Sequence, residues 1–150
     1  MTRAIGLDHG ERRIGVAVGD TETRMAFARP ALQTKSLAGA VEQVRRLVAD
    51  EGAELLIIGL PVTLGGREGT QAARARAFGD ALAGIGAEIV FVDERLTSWE
   101  ADAQLRAEGS VPDRRGGDVD SAAARLILQQ YFDAMPAAPS HDLHPGEETE

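Results

Sequence analysis

The stretch RAIGLDHGERRIGVAVGD, residues 3–20, holds two short apolar runs separated by Gly10-Glu11-Arg12. It reads as two antiparallel strands joined by a tight hairpin, with Asp8 at the end of the first. MAFARPALQ, residues 25–33, reads as a third strand. Pro30 cannot donate to a ladder, so it places that strand at a sheet edge or interrupts it. Leu37, Val41, Val44 and Val48 recur at helical spacing up to Gly52 and predict a helix with that stripe inward. ELLIIGL (54–60) has the unbroken aliphatic content of a buried strand, and the loop PVTLGGREG leads to a second helix over 71–82. AEIVFVDER repeats the strand signal, Thr97 to Glu100 form a capping box for a third helix, and GSVPDRRGG precedes a last helix, DSAAARLILQQYF.

Three antiparallel strands followed by strand–helix alternation predict an α/β fold: a mixed five-stranded sheet with helices on both faces, in the ribonuclease H-like order. Residues 1–133 form one domain in this reading, and 134–150 lack an apolar period and read as a flexible acidic tail.

Acidic islands fall at the ends of these elements: Asp8, Asp93-Glu94, and Asp118 with Asp120. Carboxylates gathered from distant parts of a chain repel by roughly 4 kcal/mol per pair at about 4 Å and an effective dielectric near 20. Divalent cations relieve that repulsion, and Mg²⁺ binds through a few carboxylates together with substrate phosphates. The pattern points to metal-dependent phosphodiester hydrolysis. Neighbouring side chains on a strand face opposite ways, so only one of Asp93 and Glu94 is expected to reach the metal. The same alternation turns His9 away from Asp8 and makes it a packing or turn residue.

The chain has no Cys, which excludes disulfides, thiolate nucleophiles and cysteine-ligated zinc. No apolar run approaches a membrane span, and no basic-then-apolar leader opens the chain, so a soluble cytoplasmic protein without a membrane partner is expected. The net charge of −8 argues at first against nucleic acid. Four of the 24 acids follow Ala134 while all 16 bases precede it, so the body carries only −4. Arg12, Arg13, Arg67, Arg74, Arg76, Arg114 and Arg115 are candidates for a phosphate-binding rim. Arg95 can pair with Asp93 or contact phosphate, and both roles stay open.

With LDHGERRIGVAVGD, IIGLPVTLGGREG, VDERLTSWEA and DSAAARLILQQYFD in one order, residues 3 to 133 resemble the YqgF family, also called RuvX. The resemblance implies a ribonuclease H-fold nuclease related to RuvC Holliday junction resolvases and acting in maturation of precursor small-subunit ribosomal RNA. It implies acidic site residues at Asp8, Glu94 and Asp120, with Asp118 in reserve. Thr63 and Gly65 depart from the family's amide and acid in the Gly-Leu-Pro loop. On this reading Asp8, Glu94 and Asp120 hold two Mg²⁺ or Mn²⁺ ions about 3.5 to 4 Å apart.

As an ordinary residue Asp8 would shape the turn at Gly10, and Asp120 would be the N-cap of the last helix, a role compatible with metal binding. Precursor RNA is the expected substrate. Branched DNA is the alternative, and its symmetric cuts would favour a homodimer. A non-catalytic nucleic-acid-binding assembly module is the reading from another class.

Overall fold

The computed structural model describes residues 1–61, 67–93 and 118–136, with the backbone alone for 118–120. Its elements are β1 (Arg3–His9), β2 (Arg13–Asp20), β3 (Ala26–Gln33), α1 (Leu37–Glu51), β4 (Leu55–Leu60), α2 (Thr70–Ala81), β5 (Glu88–Asp93) and α3 (Asp118–Ala134). The helix expected from Thr97 and the loop over 109–117 lie outside the described residues.

The strands form one five-stranded sheet in the order β3-β2-β1-β4-β5. The hairpin closes with the Gly10 amide donating to the Arg13 carbonyl at 2.9 Å. β1–β2 and β2–β3 are antiparallel. β4 and β5 run parallel to β1, because each is reached by a helical crossover. β1 is therefore the central strand, and the mixed sheet matches the sequence reading.

Alternation along β1 and β2 gives the two faces different characters. Ile5, Leu7, Ile14, Val16 and Val18 join Leu56 and Ile58 in a core with α1 and α2. Ala4 and Ala17 face the other way, with Leu55 and Ile57, onto Ala124, Ile127, Leu128 and Phe132 of α3. A Cβ added at Gly6 would stand 2.8 Å from Leu128 Cβ and 2.9 Å from the Ala124 carbonyl oxygen. The small side chains on this face let α3 lie close against the central strands.

α1 begins where the Ser36 hydroxyl accepts from the Gly39 amide at 3.0 Å, and ends at Gly52, whose φ of 64° is the left-handed conformation glycine favours. Its buried stripe is Ala40, Val44 and Val48. Each valine contributes about 1.5–3 kcal/mol on burial. Leu37, expected inside, is 49% exposed. The expected stripe was wrong at its first member: the inward face of α1 begins at Ala40, three residues later.

β3 is an edge strand, as Pro30 requires. Pairing passes from Ile14↔Leu32 to Val16↔Arg29, so Gly15 faces both Pro30 and Ala31 in a bulge. Ser121, fully buried in α3, repairs the ladder there. Its hydroxyl accepts from the Val16 amide at 3.1 Å and donates to the Arg29 carbonyl. Ser121→Ala strands both backbone groups, and an unmet buried group costs about 1–3 kcal/mol. We expect a fall in Tm of several degrees, at about 2–4 °C per kcal/mol for a chain of this size. An unchanged Tm would show that the bulge needs no partner from α3. Farther along α3, Gln129 accepts from the Ala26 amide at 3.0 Å and donates to the Arg24 carbonyl at 2.8 Å, fastening the helix to the start of β3.

Candidate active site

The carboxyl ends of β1, β4 and β5 lie along one sheet edge, the usual location of sites in α/β sheets. Asp8 is half-buried near the end of β1. It shares the α3 face with Ala4 and Gly6 by strand alternation.

The packing of α3 shows which part of that helix reaches this edge. Gly19, paired with Ala4, lies beneath the Phe132 ring, whereas Gly6 lies beneath Ala124 and Leu128. Two strand residues advance about 6.6 Å and four helical residues about 6 Å, so each step of two along β1 retreats one turn along α3. The next step, to Asp8, leads to the first turn of α3. The Ser121 bond to Val16, which pairs with Leu7, fixes the same level independently. Residues 118–120 thus begin their helix beside the Asp8 end of the central strand.

The helix starts at Asp118, which corrects the N-cap role expected for Asp120. Asp120 is the third helical residue, because the helix runs two residues farther back than the alanine run suggested. A first-turn Asp still meets the positive end of the helix dipole, which favours its ionised form. The carboxylates of Asp118 and Asp120 lie outside the described residues, so the choice between them stays an expectation.

On β5, Val90 and Val92 pack on the α3 side and Phe91 packs with the α1/α2 core. Asp93 therefore turns from Asp8, leaving Glu94 as the candidate of this island. Glu94 lies outside the described residues. Gly59 stands between the strands at the level of Val92 and puts no side chain into the space beside Asp8. The sequence reading placed Gly59 in a buried strand without assigning it a part in the site.

Among the described residues no three His, Cys, Asp or Glu side chains come together as a metal site. The side-chain donors expected at this edge are carboxylate oxygens, the chain has no cysteine thiolate, and a helix N-terminus lies beside them. That donor chemistry fits a hard divalent cation shared with phosphate.

His9 lies on the opposite face, stacked on Phe78 at 4.7 Å between ring centroids. Burial first, and the Arg74 guanidinium second, lower its pKa, as suits a packed neutral imidazole. Of the candidate rim, Arg74 bonds Glu11 at 3.0 Å. Arg76 bonds Glu68 at 2.6 Å and lies over the Phe91 ring, both on the α2 side. Arg12, Arg13 and Arg67 are exposed. Arg95, Arg114 and Arg115 lie outside the described residues. Sequence reasoning missed Ser121, whose task depends on a bulge 92 residues away in the chain.

Known proteins resemble this chain in sequence and in fold. A relative from Chloroflexus aggregans, named "Putative pre-16S rRNA nuclease", is 43% identical over 131 residues, covering 87% of this chain and 92% of its own. A relative of the same name from Synechococcus elongatus is 41% identical over 134 residues, covering 87% and 88%. Among solved structures, T. thermophilus RuvC in complex with Holliday junction substrate superposes with a TM-score of 0.60 at 14% identity, covering 89% of this chain and 95% of that one. The fowlpox virus Holliday junction resolvase superposes with a TM-score of 0.55 at 9% identity, covering 89% and 100%. At such identities the likeness is one of fold, and it is the ribonuclease H-like fold of RuvC. The family model for RuvX, described as Holliday junction resolvase, matches residues 2–134. The chain therefore belongs to the RuvX family of ribonuclease H-like nucleases.

Proposed function

We propose that this protein is a divalent-metal-dependent endonuclease that trims the 5′ end of precursor 16S rRNA in the cytoplasm, using Asp8, Glu94 and Asp120. The observation carrying the metal site is the convergence of the Asp8 end of β1 with the first turn of α3, beside a strand position occupied by glycine. Support for the RNA substrate comes from the names of relatives that match over most of their length.

In this reading Asp8 is the fixed ligand, because it is paired with Gly15 of β2 and follows Leu7, where β1 is paired on both sides. Asp120 sits on a helix start anchored through Ser121, and Glu94 completes the set from the end of β5. A bound Mg²⁺ or Mn²⁺ supplies Lewis-acid stabilisation of charge on the phosphate and activation of a water molecule. The α3 N-terminus favours the negative charge gathered there, and exposed Arg12, Arg13 and Arg67, with Arg95, Arg114 and Arg115, hold flanking phosphates.

A second reading, cleavage of four-way DNA junctions, is favoured by the description of the family model that matches the chain. Junction resolution needs two symmetric cuts and hence a two-fold dimer. Matched precursor-like RNA and four-way junction DNA, incubated with Mg²⁺ or Mn²⁺, separate the two. Faster cutting of RNA is expected, and faster paired cutting of the junction would replace the RNA assignment.

A further inference from the structure

On the α1/α2 side of the same edge lies a cleft of about 250 Å³ lined by His9, Glu11, Lys35, Ser36, Leu37 and Arg74 among others. Its features point to an anion. The first-turn amides of a helix have no intrahelical acceptor, and the Ser36 hydroxyl takes up that of Gly39. The first turn of α1 carries no acidic residue, so its positive end is uncompensated within the helix. Among the described lining residues, Lys35 and Arg74 are two cations against one carboxylate, Glu11. Among the described residues, His9 Nδ1 is buried without a hydrogen-bond partner. Leu37, exposed here instead of buried in the core, walls one side of the cleft.

We propose that this cleft binds a phosphate group of the nucleic acid adjacent to the one cleaved at Asp8, an inference that rests on the nuclease reading above. Asp8 and His9 are consecutive in β1 with side chains on opposite faces, so the cleft and the acidic edge are two sides of one strand end. A strand draped over that end meets both. The Glu11 carboxylate accepts a hydrogen bond from Arg74 at 3.0 Å. Their side chains are 65% and 49% exposed, and an exposed pair is worth about 0–1 kcal/mol, so phosphate can take Arg74 at small cost. Glu11 is then a competitor for the site, and removing its charge strengthens binding.

The test is an amide chemical-shift titration of the full chain in EDTA, first with inorganic phosphate and then with a short RNA, on wild type, Lys35→Ala and Glu11→Gln. We expect both probes to move the amides of residues 35–39. Lys35→Ala should weaken phosphate binding roughly two- to fivefold, and Glu11→Gln should strengthen it by a similar factor, the change associated with one exposed ion pair. Equal affinity in all three proteins overturns the site, since it reduces the shifts to general screening. RNA that moves residues around Asp8 but leaves 35–39 still overturns the cleft and spares the nuclease reading. Shifts at 35–39 with the expected variant order, in a protein that cuts no substrate, uphold the cleft and reject the nuclease reading. No response to either probe overturns the cleft, and the nuclease reading is then judged by metal-dependent cleavage alone.

Discussion

Asp8→Asn is expected to remove cleavage and leave the fold intact. The amide is nearly the size of the carboxylate, and the position is half-buried at a strand end outside both apolar clusters, so packing changes little. The charge is what disappears. A neutral amide is a poor ligand for a hard cation, whose affinity comes from anionic oxygen. Even residues that only orient a metal ligand cost about 10- to 100-fold when replaced, so loss of a ligand should exceed about 100-fold in cleavage rate. Stability should hold, because the amide keeps the shape of the carboxylate and can still accept a hydrogen bond through its oxygen. Thermal unfolding and single-turnover cleavage, measured side by side, check both halves. A variant with wild-type rate removes Asp8 from the site, and one that cuts slowly because it is unfolded is recognised by its Tm.

Gly6→Ala is expected to damage both stability and cleavage. The added Cβ meets Leu128 Cβ at 2.8 Å and the Ala124 carbonyl at 2.9 Å. Neither is the far end of a flexible side chain, so α3 or β1 must move. Overpacking of this kind costs about 1–3 kcal/mol, or several degrees in Tm. Because α3 carries Asp118 and Asp120 to the edge where Asp8 lies, lifting it off β1 separates the acids. Cleavage at a temperature where the variant is fully folded should therefore fall by more than the unfolded fraction explains. Wild-type Tm would show that the helix accommodates a methyl group, and wild-type cleavage despite a lowered Tm would uncouple the helix position from the site.

The strand order was legible because each strand announces itself locally: the hairpin at Gly10, Pro30 at an edge, and the unbroken aliphatic run of β4. Alternation also sorted His9 from Asp8 in the sequence, and the stacking of His9 on Phe78 agrees. Leu37 was misread because helical spacing identifies a stripe without showing where the helix leaves the sheet. Asp120 was misread as a cap because an alanine run marks helix interior better than helix start. Ser121 could not be read at all. A serine in an alanine-rich helix carries no local signal of the bulge it completes. The remaining legs of the site, Glu94 and the carboxylates of Asp118 and Asp120, rest on the family motif together with the placement of their backbone neighbours.

The most direct measurement is cleavage of precursor-like RNA by the intact protein with Mg²⁺ or Mn²⁺, with EDTA, and with metal restored after EDTA, alongside Asp8→Asn, Glu94→Gln and Asp120→Asn. The account predicts cutting that stops with EDTA, returns with metal and is lost in all three folded variants. Cutting that persists in EDTA, or that survives all three substitutions, would contradict it.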